Sequence, residues 1–176
     1  AGLSNIRIEH ISGDLTDHYD PSAKVLRLSD SVYGSTSIAA AGVAAHECGH
    51  AIQDKVNYIP IRLRNAIVPV VNLGSKLSWP VIILGLILGR AGLLQIGIIL
   101  FGLTLLFQVV TLPVEFNASR RALHILGEQG ILSDSELPYT RKVLKAAALT
   151  YVASAAAAIL QLLRLVLLFG GRNRDD

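Results

Sequence analysis

A run of 22 residues, Ala91 to Leu112, carries no charge; its polar side chains are Gln95, Thr104, Gln108 and Thr111. No other feature constrains the fold as strongly. Lipid satisfies no backbone N–H or C=O group, and about 20 apolar residues in a helix cross the hydrocarbon core, so the run is read as a membrane-spanning helix. A buried helical pair of a soluble protein is the weaker alternative. The uncharged stretch before it, Leu77 to Gly89, has 13 residues and needs turns from Ile67 to Lys76 to span. Ile61 to Lys76, with Arg62, Arg64, Asn65, Asn72 and Lys76 among apolar residues, reads as an amphipathic or partly buried helix leading to the membrane. Gly89-Arg90-Ala91-Gly92 is a tight turn, so a helical hairpin across the bilayer is expected. Ala146 to Phe169 is apolar save for Thr150, Tyr151, Ser154, Gln161 and Arg164, which is long enough for a third span. Arg164 should snorkel or face protein, because a charge at mid-membrane costs at least ~2.5 kcal/mol. With 176 residues, 52% of them hydrophobic, the chain fits one domain with membrane spans.

The second feature is chemical. Ala45-His46-Glu47-Cys48-Gly49-His50-Ala51 places two histidines four residues apart, on one face of a helix, with a glutamate beside the first. Two neutral imidazoles can hold Zn²⁺, and a carboxylate that is not a ligand can take a proton from the attacking water. The surrounding Ser37 to Ala45 is small and apolar, where a His and a Glu side by side would be costly without a partner; a metal supplies one. Cys48 is the only cysteine, so no intrachain disulfide can form, and it reads as a small helix residue facing away from the metal. The net charge of +3 says little, and no nucleic acid is expected as a partner. The sequence contains no Met, which fits a processed or truncated form.

Residues 1–37 are the polar stretch before the motif. Asn5 to Ile11 alternates apolar and polar, Lys24 to Ser29 does so less strictly, and Gly13-Asp14 and Tyr19 to Ser22 carry turn chemistry, so two or three short strands fit. His10 and His18 are weaker ligand candidates, since isolated histidines in polar strands are usually solvated. Ser35 or Ser37 can cap the motif helix, which should run to about Lys55 before Pro60 breaks it. Pro113 is read as a helix start, Gly127 to Gly130 as that helix's end, and Ser133-Asp134-Ser135-Glu136 as a capping box for the next. Glu115 is the acid nearest the membrane exit. Two spans return the chain to the side it left, which makes Glu115 the candidate third ligand; an ordinary first-turn Glu favoured by the helix dipole is the alternative. His124, Tyr151 and Arg121 are the polar candidates for stabilising an oxyanion.

Gly13-Asp14-Leu15-Thr16-Asp17-His18-Tyr19-Asp20-Pro21, Ala44 to Gln53, Leu112 to Leu123 and Leu160-Gln161-Leu162-Leu163-Arg164 together resemble the bacterial YugP-type membrane zinc metallopeptidases, in order and over nearly the whole chain. The plan is also similar to that of HtpX and the prenyl-protein peptidases. The resemblance implies a multi-pass membrane protein, zinc held by His46, His50 and Glu115, and Glu47 as catalytic base. Family members usually begin with a further membrane helix, and Asp is expected where this chain has Asn117.

The expectation is a mainly α, multi-pass helical membrane protein with a small zincin-like α+β catalytic region. One metallopeptidase domain covers 1–176: strands and motif helix over 1–60, membrane hairpin over 61–112, third-ligand helix over 113–145 and final membrane helix over 146–170. The expected activity is hydrolysis of peptide bonds in a peptide or membrane-protein substrate at the bilayer; a zinc hydrolase of a non-peptide bond and an inactive membrane scaffold are the alternatives. Arg120, Arg121, Arg141, Lys142 and Lys145 lie between the second and third spans, and the hairpin tip has only Arg90, so the positive-inside rule puts the site on the cytoplasmic side of a bacterial cytoplasmic membrane. Arg172 and Arg174 would then face outward. Oligomeric state is left open. Lys24 to Ser29, or the loop Asp30 to Ser37, is the expected wall along which an extended substrate lies.

Overall fold

The computed structural model describes residues 2–169; the tail Gly170 to Asp176, with Arg172 and Arg174, lies outside them. Three short strands come first, β1 (Arg7–His10), β2 (His18–Asp20) and β3 (Val25–Leu28), followed by α1 (Ile38–Lys55), α2 (Ile59–Ile87), α3 (Ala91–Glu128) and α4 (Leu137–Phe169). The protein is mainly α, and α2, α3 and α4 are each long and apolar enough to cross a membrane. Only 11% of the most apolar 18-residue window of α3, and the same share for α4, is buried within the protein. Apolar side chains left uncovered on that scale are accounted for by lipid as their solvent. Arg164 is exposed on α4 near its end, in keeping with a snorkelling side chain.

Helix boundaries follow local chemistry with one exception. Ser37 caps α1, its hydroxyl accepting from the Ala40 N–H at 3.1 Å. The helix stops at Asn57, in the left-handed region at φ 53°, with Tyr58 N–H bonding Gln53 O and Asn57 N–H bonding Asp54 O, a Schellman end. Pro60 therefore breaks nothing; it sits in the first turn of α2, where its missing N–H is harmless. Gly89 and Gly130, both at φ 61°, close α2 and α3 with the same pair of bonds, Arg90 to Gly85 with Gly89 to Leu86, and Ile131 to Leu126 with Gly130 to Gly127. At the start of α4 the Glu136 carboxylate accepts from the Ser133 N–H at 2.9 Å, the backward half of a capping box. The exception is Pro113. It begins no helix but lies inside α3, and Pro69 and Pro80 lie inside α2 in the same way. A helix bounded on both sides by long helix-forming runs tolerates the single bond that a proline removes.

Two compact units divide the described chain. Unit 1 takes the chain up to Arg62 together with Pro113–Leu149; unit 2 takes Leu63–Leu112 and the chain from Thr150 on. In unit 1 the sheet order is β1-β3-β2, β3 pairing parallel with β1 and antiparallel with β2. The sheet packs on α1 through Tyr19, Leu26 and Ala51, and a second core joins Ala45, Ala122, Leu126 and Leu144 from α1, α3 and α4. In unit 2, α2 and α3 approach closely at glycines: a Cβ on Gly97 would stand 2.4 Å from Ile82 Cγ1, and one on Gly85 2.9 Å from Leu94 N. Small residues at such crossings let membrane helices pack backbone to backbone.

Candidate metal centre

α1 turns His46 and His50 to the same side, their rings edge to face with centroids 4.7 Å apart. α3 brings Glu115 to meet them. Glu115 Oε2 lies 3.1 Å from His46 Nε2 and 3.6 Å from His50 Nε2, and the carboxylate is only 3% exposed. The three donors all fall within 4.8 Å of one another, a grouping able to hold a metal ion. A tetrahedral zinc with bonds of about 2.0–2.2 Å sets its ligand atoms roughly 3.3–3.6 Å apart, so the donor spacing fits that ion. Two imidazoles and one carboxylate leave a fourth position for water or substrate.

The meeting of α1 and α3 depends on a residue with no side chain. A Cβ on Gly49, inside the motif, would stand 2.5 Å from the Ala118 carbonyl oxygen and 3.0 Å from Ala118 Cα. Gly42, a further two turns back, similarly receives Thr140 of α4.

Hydrogen bonds behind the donors orient the rings. The Val114 carbonyl can only accept, so the group 2.8 Å from it is the Gln53 amide nitrogen, and Oε1 must be the atom 3.0 Å from His50 Nδ1. His50 therefore carries its proton on Nδ1, leaving the Nε2 lone pair for a metal. Gln53, fully buried, also donates to Asn117 Oδ1 at 3.0 Å, and the same oxygen accepts from Arg121 Nε at 2.8 Å. An Asp at 117 would accept the same two bonds, so Asn117 keeps the acceptor that the resemblance leads one to expect. Behind His46, Ser119 Oγ lies 3.1 Å from Nδ1. Sequence reasoning missed Gln53 and Ser119. The available signal was spacing alone: Gln53 is one turn from His50, and Ser119 one turn from Glu115.

Glu47 stands beside the donors without joining them. It accepts the Tyr19 N–H of β2 at 3.0 Å, and burial pushes its carboxyl up to about 7, Glu115's charge adding to the effect and His46's opposing it. A carboxyl in that range can take a proton near neutrality and give it back. Cys48 turns the other way, against the sheet cluster, and burial raises its thiol.

The other candidates have partners of their own. His10 bonds Asp30 at 2.7 Å and His18 bonds the Thr16 carbonyl at 2.8 Å; neither joins a donor cluster. His124 pairs with Glu128 at 3.0 Å and Arg121 with Asn117, while Tyr151 belongs to unit 2. The expected substrate wall at Lys24 to Ser29 is corrected by the sheet order: β3 is the central strand, so neither of its edges is open to an added strand. The outer edges belong to β1 and β2, and on β2 the Tyr19 N–H is already taken by Glu47.

Helices fit for a bilayer, together with two histidines and a carboxylate that could hold a metal ion, describe a membrane protein with a candidate metal centre. Residues 1–170 match the family described as "Putative neutral zinc metallopeptidase". The chain is also 46% identical over 175 residues, 99% of its length and 78% of the relative's, to "Putative membrane protease YugP" from Bacillus subtilis (strain 168). The chain belongs to that zinc metallopeptidase family. No solved structure matches it.

Proposed function

We propose that this protein is a membrane-embedded zinc peptidase in which His46, His50 and Glu115 hold Zn²⁺, Glu47 is the general base, and the whole chain works as one metallopeptidase domain. The observation that carries the reading is the convergence of two Nε2 atoms and Glu115 Oε2, from helices far apart in sequence, beside a second carboxyl, Glu47, left outside the donor set. When bound, zinc would supply Lewis acidity toward a scissile carbonyl and make water a stronger acid. Glu47 takes one proton from the attacking water as its oxygen bonds to the carbonyl carbon. It then passes that proton to the amine nitrogen as the C–N bond breaks. The Tyr19 N–H fixes the carboxylate for both transfers, and Gln53 and Ser119 hold the imidazoles. The positive-inside rule, applied to Arg120, Arg121, Arg141, Lys142 and Lys145, supports a site at the cytoplasmic face acting on peptide or membrane-protein substrates.

The test is Glu47→Gln beside wild type. The amide fills the same space but takes no proton, so zinc content should hold while cleavage of a casein-like substrate falls at least ~10²-fold. His46→Ala and Glu115→Ala should lose zinc and activity together, and a chelator should stop the wild type. Turnover by Glu47→Gln above about a tenth of wild type would place the base elsewhere.

A further inference from the structure

Within unit 1 a groove of about 640 Å³ lies between the C-terminal half of α3 and the start of α4. Its lining combines three cations, Arg120, Arg141 and Lys145, with accessible apolar Phe116 and Leu123. All three cations are exposed, and none takes part in an ion pair among the described residues. Cations near the sheet are differently placed: Arg27 is held by Asp20 and Glu9, and Lys24 by Asp54. Of the nearby acids, Glu128 is engaged with His124 and Glu136 with Ser133, while Asp134, which shares a neighbouring pocket with Arg141 and Lys145, makes no ion pair with either among the described residues. Three unanswered positive charges around one concavity call for an anion.

The position along the helices says which kind. Lys145 is the last charge before the uncharged stretch Ala146 to Leu163 of α4, and on α3 the residues from Ala91 to Val114 are uncharged. Both helices change from lipid-facing to charged composition at this groove, which sets it at headgroup depth. A free anion would use the cations and leave the exposed Phe116 and half-buried Leu123 idle; a phospholipid uses both. We propose that the groove binds an anionic phospholipid, its phosphate against Arg120, Arg141 and Lys145 and the first methylenes of its acyl chains against Phe116 and Leu123. Ser119, which holds His46, lines the same groove, so headgroup and donor set share a neighbour.

The inference does not depend on hydrolysis and is tested without it. Native mass spectrometry of the full chain, after equilibration in mixed micelles, counts the phosphatidylglycerol and phosphatidylcholine it retains. Wild type should retain about tenfold more phosphatidylglycerol, and each of Arg120→Gln, Arg141→Gln and Lys145→Gln should lower its affinity about fivefold. Arg120→Lys with Arg141→Lys keeps the charge and should stay near wild type, as should Arg7→Gln with Arg90→Gln, which removes two charges elsewhere, one more than any single groove variant. Equal retention of the two lipids by wild type overturns the proposal, as does equal loss in the Arg7, Arg90 variant. Complete displacement of phosphatidylglycerol by millimolar inorganic phosphate would also overturn it, by showing a site for free anions. The lipid ratio and the phosphate competition need no variant, so a misfolded variant leaves the proposal decidable.

Discussion

Gln53 shows how far a single buried amide can govern a donor set. Its oxygen accepts a hydrogen bond from His50 Nδ1–H, and its nitrogen donates to Val114 O and Asn117 Oδ1 of α3. Gln53→Ala should weaken zinc binding 10–100-fold in a chelator competition, the range typical of lost partners behind metal ligands. The Val114 carbonyl and Asn117 would also lose a donor, so thermal unfolding should register a further ~1–3 kcal/mol. Gln53→Glu separates the two jobs. A carboxylate still accepts from His50 but cannot donate to Val114, so zinc affinity should fall less than in Gln53→Ala. Unchanged zinc affinity in Gln53→Ala would show that the His50 tautomer is set by something else. His46, Glu47 and His50 were legible from sequence because a four-residue spacing on a helix is a statement about one face. Gln53 was not, because its partners lie 61 and 64 residues away.

At the scale of elements, the site exists only where α1 and α3 lie nearly backbone to backbone. Gly49→Ala puts a methyl group 2.5 Å from the Ala118 carbonyl oxygen, and backbone cannot turn aside as a side chain can. The helices must separate, costing ~1–3 kcal/mol, and Glu115 moves off the two imidazoles. The expected result is a folded, membrane-inserted protein with zinc affinity reduced at least about tenfold, read by circular dichroism and metal analysis. Wild-type zinc affinity in Gly49→Ala would mean that this contact does not set the donor geometry. The strands teach the complementary lesson. Period-two patterning located β1 and β3, yet pairing order is not a local property. β3 lies between β1 and β2 because its side chains are the most apolar of the three, with Val25, Leu26 and Leu28 buried.

For the molecule as a whole, the distribution of cations bears on orientation in the membrane. Cations concentrate near the donor set, and the turn after α2 has Arg90 alone, which favours a cytoplasmic site and an outward Arg90. A cysteine at Arg90, in a Cys48→Ala background, should be labelled by a membrane-impermeant maleimide on intact cells. A cysteine replacing Asp134, in the loop between α3 and α4, should react only after lysis. The reverse pattern would place the site outside.

The sequence by itself determined that three helices are fit for a bilayer and that two histidines share one helix face with a glutamate beside them. Those are consequences of composition and period, which act over a few turns. It also ended α1, α2 and α3, where Asn57, Gly89 and Gly130 accept a left-handed backbone. Only the tertiary structure decided that Pro113 lies inside a continuous α3, since a proline's effect depends on whether the flanking turns are already held. Only it brought Glu115 Oε2 within 3.6 Å of both Nε2 atoms, and only it gave β2, rather than β3, the edge that touches Glu47. The last two share a reason: each depends on the close approach of elements distant in the chain, and that approach is set by the shape of packed surfaces such as Gly49 on Ala118.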